Sequence, residues 1–107
     1  MAHNERIEKL KRFLASDPHD SFLKHALAME YLALGEEETA RCLLEEVLER
    51  DADATGSYYQ LGKLLERAGE TLAALQWYER GMEAARRTGE KRAYNELRTA
   101  YDDLADL

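Results

Sequence analysis

Two stretches of this chain repeat each other at a spacing of 34 residues. Gly35-Glu36 recurs as Gly69-Glu70, Ala40 as Ala74 and Leu27 as Leu61, and Leu44 is answered by the bulky Tyr78. A fixed period in this range marks stacked supersecondary units, none of which can bury its apolar face alone. The architecture is therefore constrained before any single segment is read.

The units are helical. Val47 and Ile7 are the only valine and isoleucine, while Leu, Ala, Glu, Lys and Arg, all good helix formers, dominate. From 4 to 16, Ile7, Leu10, Phe13 and Leu14 fall on one face at helical spacing, and Asp17-Pro18 ends the run. Asp20 or Ser21 caps a second helix carrying Leu23, Leu27, Tyr31 and Leu34, which stops at Gly35. Glu36 to Glu38 open a third, bearing Ala40, Leu43, Leu44, Val47 and Leu48. The stretch 51–56 reads as a turn. Beyond it Tyr58, Leu61, Leu64, Leu65 and Ala68 mark a fourth helix up to Gly69, and Ala74, Leu75, Trp77, Tyr78 and Met82 a fifth up to Thr88-Gly89. A sixth, about 90–106, places Ala93, Leu97, Ala100, Tyr101 and Leu104 on one side. The expectation is one all-α domain over 1–107, an antiparallel array of six helices.

Charge and composition narrow the function. The net charge of -7 is concentrated between Glu36 and Asp51, where seven acids face only Arg41 and Arg50. An acidic chain repels phosphate backbones, so nucleic acid is not expected as a partner. The mean hydropathy of -0.63 and the lack of a long apolar run argue against a membrane span. Met1 to Leu14 is charged throughout and lacks the core of a signal peptide, and Cys42 is the only cysteine, so a cytoplasmic location is expected.

Chemistry finds little purchase. His3, His19, His25 and Cys42 match no compact ligand spacing, so no metal is expected. Cys42 sits in the most acidic helix, a poor setting for a thiolate nucleophile, and reads as a small, partly buried packing residue. The glycines are scattered and form no phosphate loop. No catalytic residue and no cofactor are expected.

The repeat resembles the tetratricopeptide repeat, whose signature runs W-x2-L-G-x2-Y, then A-x3-F, then P. The first copy, 21–54, offers Leu27-Ala28-x2-Tyr31 and Ala40-x3-Leu44; the second, 55–88, offers Tyr58-x2-Leu61-Gly62-x2-Leu65 and Ala74-x3-Tyr78. Lys24 stands where the signature tryptophan belongs, and the closing proline is absent at Ala52 and Arg86. The helix over 4–16 resembles the second half of a truncated repeat, and 89–107 the solvating helix that ends such arrays.

The resemblance implies a non-catalytic adaptor that binds a peptide or protein segment on its concave side, lined by the first helix of each hairpin. The contacts would come from Phe22, His25 and Met29 in the first copy and from Tyr59, Lys63 and Arg67 in the second. Family members that grip a carboxylate use Lys and Asn at such places; His25 and Met29 stand there instead, so that specificity is not implied. The alternative is self-association, a homodimer built through Trp77.

Overall fold

The computed structural model describes residues 2–106. It contains six α-helices: α1 (Ala2–Ser16), α2 (Ser21–Ala33), α3 (Glu37–Arg50), α4 (Thr55–Arg67), α5 (Thr71–Thr88) and α6 (Lys91–Ala105). They form two compact units, Met1–Asp51 and Ala52–Leu107.

In the first unit α2 packs against both α1 and α3. Asp20 is the N-cap of α2: its Oδ1 accepts from the Leu23 N–H at 2.8 Å, satisfying one of the donors a helix start leaves orphaned. Leu27, Ala28, Ala40, Leu44, Val47 and Leu48 make the core, and Ile7 brings α1 onto it. Ala28 and Ala40 are fully buried, which small side chains allow where two helices approach closely.

A salt link also fastens α1 to α2. Arg6 Nε donates to Glu30 Oε1 at 2.6 Å, and His3 Nδ1 lies 3.1 Å from the same oxygen. The Arg6 bond above all, then the His3 contact, holds the Glu30 carboxyl below the ordinary glutamate value.

In the second unit α5 packs on both α4 and α6, and α4 also meets α6. Tyr58, Leu61, Leu64, Leu65, Tyr78 and Leu97 form its centre. Gly62 lies directly under Tyr78: a Cβ there would meet the ring, 2.6 Å from Cδ1 and 2.8 Å from Cζ. The buried Tyr78 hydroxyl donates to Glu66 Oε1 at 2.8 Å. Burial first, then that bond, pushes it well above the ordinary tyrosine range.

The repeated Gly-Glu pairs close α2 and α4 in the same way. Gly35 and Gly69 have φ of 79° and 80°, a left-handed conformation that glycine adopts without a Cβ clash. Past them, Glu36 N–H donates to Tyr31 O and Glu70 N–H to Leu65 O, each at 2.9 Å, satisfying carbonyls that the helix ends would leave bare. The repeat is thus one of backbone geometry as well as residue type.

Several expectations need correction. Phe13 was read on the core face but is 51% exposed, because the buried stripe of α1 centres on Ile7 and Phe13 lies at its edge. Leu34, the C-cap of α2, and Ala68, the C-cap of α4, are also exposed. Cys42 is exposed rather than partly buried. Helix α4 begins at Thr55, inside the stretch read as a turn. Thr55-Gly56-Ser57 are poor helix formers, but Ser57 is buried and Thr55 Oγ1 donates to Glu90 Oε1 at 3.2 Å, so tertiary contacts override propensity.

Finally, α5 runs a turn past the point where α3 stops in the first copy, since Ala85-Arg86-Arg87 favour helix where Asp51-Ala52-Asp53 do not.

Candidate recognition surfaces

Each unit presents one of the faces expected to recognise a partner. On α2, Phe22, His25 and Met29 are spaced three and four residues apart and share a side of the helix. Phe22 is 82% exposed, whereas His25 and Met29 are half-buried. Burial holds the His25 imidazole below its ordinary pKa, so its neutral form is favoured. Leu27, on the opposite side of α2, and Ala28, on its flank, are buried in the core. The exposed aromatic therefore heads a largely apolar strip that the unit itself leaves accessible.

On α4, Tyr59, Lys63 and Arg67 follow one another at four-residue spacing. Lys63 Nζ stands 5.7 Å from the Tyr59 ring centroid and 3.8 Å from Glu66 Oε1. The Tyr59 ring in turn lies tilted against Tyr78, 6.5 Å between centroids. Lys63 is thus held by an aromatic face and a carboxylate, while Arg67 reaches the exposed last turn of α4.

Next to Tyr59 the unit has a cavity of about 410 Å³ between α4 and α6. Thr55, Gly56 and Tyr59 line it from α4, Ala93 and Leu97 from α6, and four charged residues, Glu90, Lys91, Arg92 and Glu96, complete the lining at the start of α6. Sequence reasoning assigned α6 a capping role and missed this cavity. The available signal was the pair of small residues, Gly56 and Ala93, but only the packing of α4 on α6 sets them across from each other.

Trp77 is half-buried, as an adjacent neighbour of buried Tyr78 should be. Its ring is engaged within the chain, tilted against Tyr58 at 6.1 Å between centroids, with the Arg80 guanidinium 4.7 Å from its centre. Close by, Arg87 donates to Asp53 at 2.5 Å, and that bond raises the arginine pKa further.

Among the described residues, no group of three or more His, Cys, Asp or Glu side chains is arranged to hold a metal ion. Among them, too, no helix is long and apolar enough to cross a membrane.

Antiparallel helix pairs closed by the same glycine geometry and packed through alanine or glycine against leucine or tyrosine define a helical-repeat protein. No family model matches the sequence, and no curated protein matches it. Solved structures do. A tetratricopeptide repeat domain protein from Salinibacter ruber, solved by NMR, is 40% identical, covers 84% of this chain and 91% of its own, and superposes with a TM-score of 0.81. A protein from Bordetella parapertussis is 27% identical over 94% of this chain and 87% of its own, with a TM-score of 0.79. The first tetratricopeptide repeat domain of Spaghetti, bound to an HSP90 peptide, shares the fold at 23% identity, with a TM-score of 0.77 over 97% of this chain and 81% of its own. The chain belongs to the tetratricopeptide repeat family.

Proposed function

We propose that the chain is a non-catalytic, cytoplasmic adaptor that binds a peptide or protein segment, with recognition side chains on α2 and on α4. The observation that carries this reading is Phe22, 82% exposed at the head of the strip with His25 and Met29. A large aromatic held in water on a helix whose other side is core is a ready anchor for a partner's apolar side chain. The Spaghetti domain, which shares the fold, is bound to an HSP90 peptide, and this supports the reading. That domain's ligand is not carried over, because Lys63 is already set against Glu66 and Tyr59 and the first copy offers His25 and Met29.

The test is affinity capture from native lysate with wild type, Phe22→Ser and the Lys63→Glu, Arg67→Glu double variant, each first shown to be folded. The partner retained by wild type is expected to be lost from Phe22→Ser and weakened in the double variant. Capture unchanged in both places the recognition surface elsewhere.

Self-association through Trp77 is the competing reading, and its support is the half-exposed indole. Light scattering at high micromolar concentration separates the two: a dimer lost on Trp77→Ser supports self-association, and a monomer counts against it.

A further inference from the structure

We infer that a second cavity, between the end of α5 and the start of α6, binds one phosphate monoester. It uses none of the residues assigned to partner recognition above, so its failure would leave the adaptor reading intact.

The cavity holds about 330 Å³ and is lined by Ala85, Arg86, Gly89, Lys91, Tyr94 and Asn95. Asn95 lies opposite Ala93 and Leu97 around the helix, so this cavity opens on another side of α6 from the one beside Tyr59. None of the six lining residues is acidic, and four of them carry hydrogen-bond donors in their side chains.

Those donors are available to a ligand. Among the described residues, the Lys91 ammonium and the Asn95 amide make no ion pair or side-chain hydrogen bond. Arg86 is steadied by Tyr94: its Nη2 donates to the Tyr94 hydroxyl at 3.2 Å, and its Cζ lies 5.3 Å from the ring centroid. A hydroxyl that accepts this bond keeps its own proton to donate. Glu83, on the exposed face of α5, stands 3.6 Å from Arg86 Nη1, and the guanidinium has further N–H donors to offer. Glu90 sits between Gly89 and Lys91, but its carboxylate accepts from Thr55 Oγ1 at 3.2 Å and from Thr88 Oγ1 at 2.7 Å and lines the other cavity.

Charge selects the ligand. Between Arg86 and Arg98 five cations face two acids, in a chain whose net charge is -7. Arg87, Arg92 and Arg98 are paired with Asp53, Glu96 and Asp102, which leaves Lys91 and the Glu83-flanked Arg86 to the cavity. A phosphate monoester carries nearly two negative charges at neutral pH and presents strong acceptor oxygens, matching two cations beside a hydroxyl and an amide. A carboxylate brings a single charge and leaves one of these cations uncompensated. A nucleic-acid backbone would meet the acidic remainder of the chain. The Ala85 methyl and the Tyr94 ring supply an apolar wall for the group that the phosphate esterifies.

The test is amide NMR on the full wild-type chain, titrated with phenyl phosphate, with benzoate, and with a phosphoserine peptide beside its unphosphorylated form. Phenyl phosphate is expected to shift the Gly89, Lys91, Tyr94 and Asn95 amides and to bind about tenfold more tightly than benzoate. Lys91→Gln and Arg86→Gln are each expected to weaken it about tenfold while melting as wild type does. Arg98→Gln removes a charge from the same segment outside the cavity and is expected to change binding by less than about twofold. A phosphoserine peptide that binds more tightly than phenyl phosphate, and is lost from Lys91→Gln, supports the site and assigns the phosphate to a phosphorylated protein. A peptide that binds no better supports the site and assigns it to a small phosphate ester. Shifts confined to other helices, benzoate binding as tight as phenyl phosphate, or an equal loss in Arg98→Gln would overturn the proposal. So would the absence of saturable binding up to about 10 mM phenyl phosphate.

Discussion

Tyr78 covers Gly62, its ring occupying the space where any side chain on that residue would point. The contact joins α4 to α5 at the centre of the second unit, and the same tyrosine reaches on to Glu66 through its hydroxyl. One position thus demands the smallest residue because another is filled by one of the largest.

Gly62→Ala is expected to destabilise the protein even though alanine is the better helix former. The helix gain is about 1 kcal/mol, whereas forcing a methyl into the Tyr78 ring costs about 1–3 kcal/mol and displaces the ring from Glu66. Urea unfolding should show a lower midpoint with an unchanged slope. A rise in midpoint means the ring can move aside freely.

Ile7 and Phe13 sit on the same helix and should behave oppositely. Ile7 is buried, so Ile7→Ala should cost about 2–4 kcal/mol; Phe13 is half in solvent, so Phe13→Ser should cost well under half of that. Thermal melts of the two variants decide it. Equal losses would mean that Phe13 packs as firmly as Ile7.

The Arg6–Glu30 link predicts an acid-side loss of stability. Because the folded state holds Glu30 below the ordinary value of 4.5, its contribution is present at neutral pH. It is lost as pH falls through the depressed folded value. Glu30→Gln should melt below wild type at pH 7, and the gap should close in strong acid. A gap that does not change with pH would show that the carboxylate charge contributes nothing.

His25 predicts a second pH dependence, at a higher range. Its folded pKa lies below the ordinary 6.5, so the unfolded chain binds the proton first. Stability then falls as pH drops below that ordinary value and levels off under the folded one. Replacing His25 with Gln should flatten this part of the profile, measured as urea midpoint between pH 8 and pH 5. An unaltered slope would assign it to other groups.

Much of the fold was legible because it depends on local physics repeated along the chain. The 34-residue period, the glycine at each helix end and the leucine spacing all act within a turn or two, so one sequence suffices to read them. Ala28, Ala40 and Ala74 could be placed at close helix approaches for the same reason, and each is fully buried. The candidate face of α2, with Phe22, His25 and Met29, is what the family resemblance implies, helical spacing adding only that the three share a side.

What escaped sequence reasoning depends on which helix packs on which side. The Ile7–Phe13 face runs unbroken in the sequence, but packing against α2 buries only Ile7 fully and leaves Phe13 exposed. Thr55 looks like a turn residue until Glu90, 35 positions on, supplies a hydrogen-bond partner. The cavity beside Tyr59 belongs to neither α4 nor α6 alone. It exists because the two helices meet there through a glycine and an alanine, and close packing leaves space only where both partners are small.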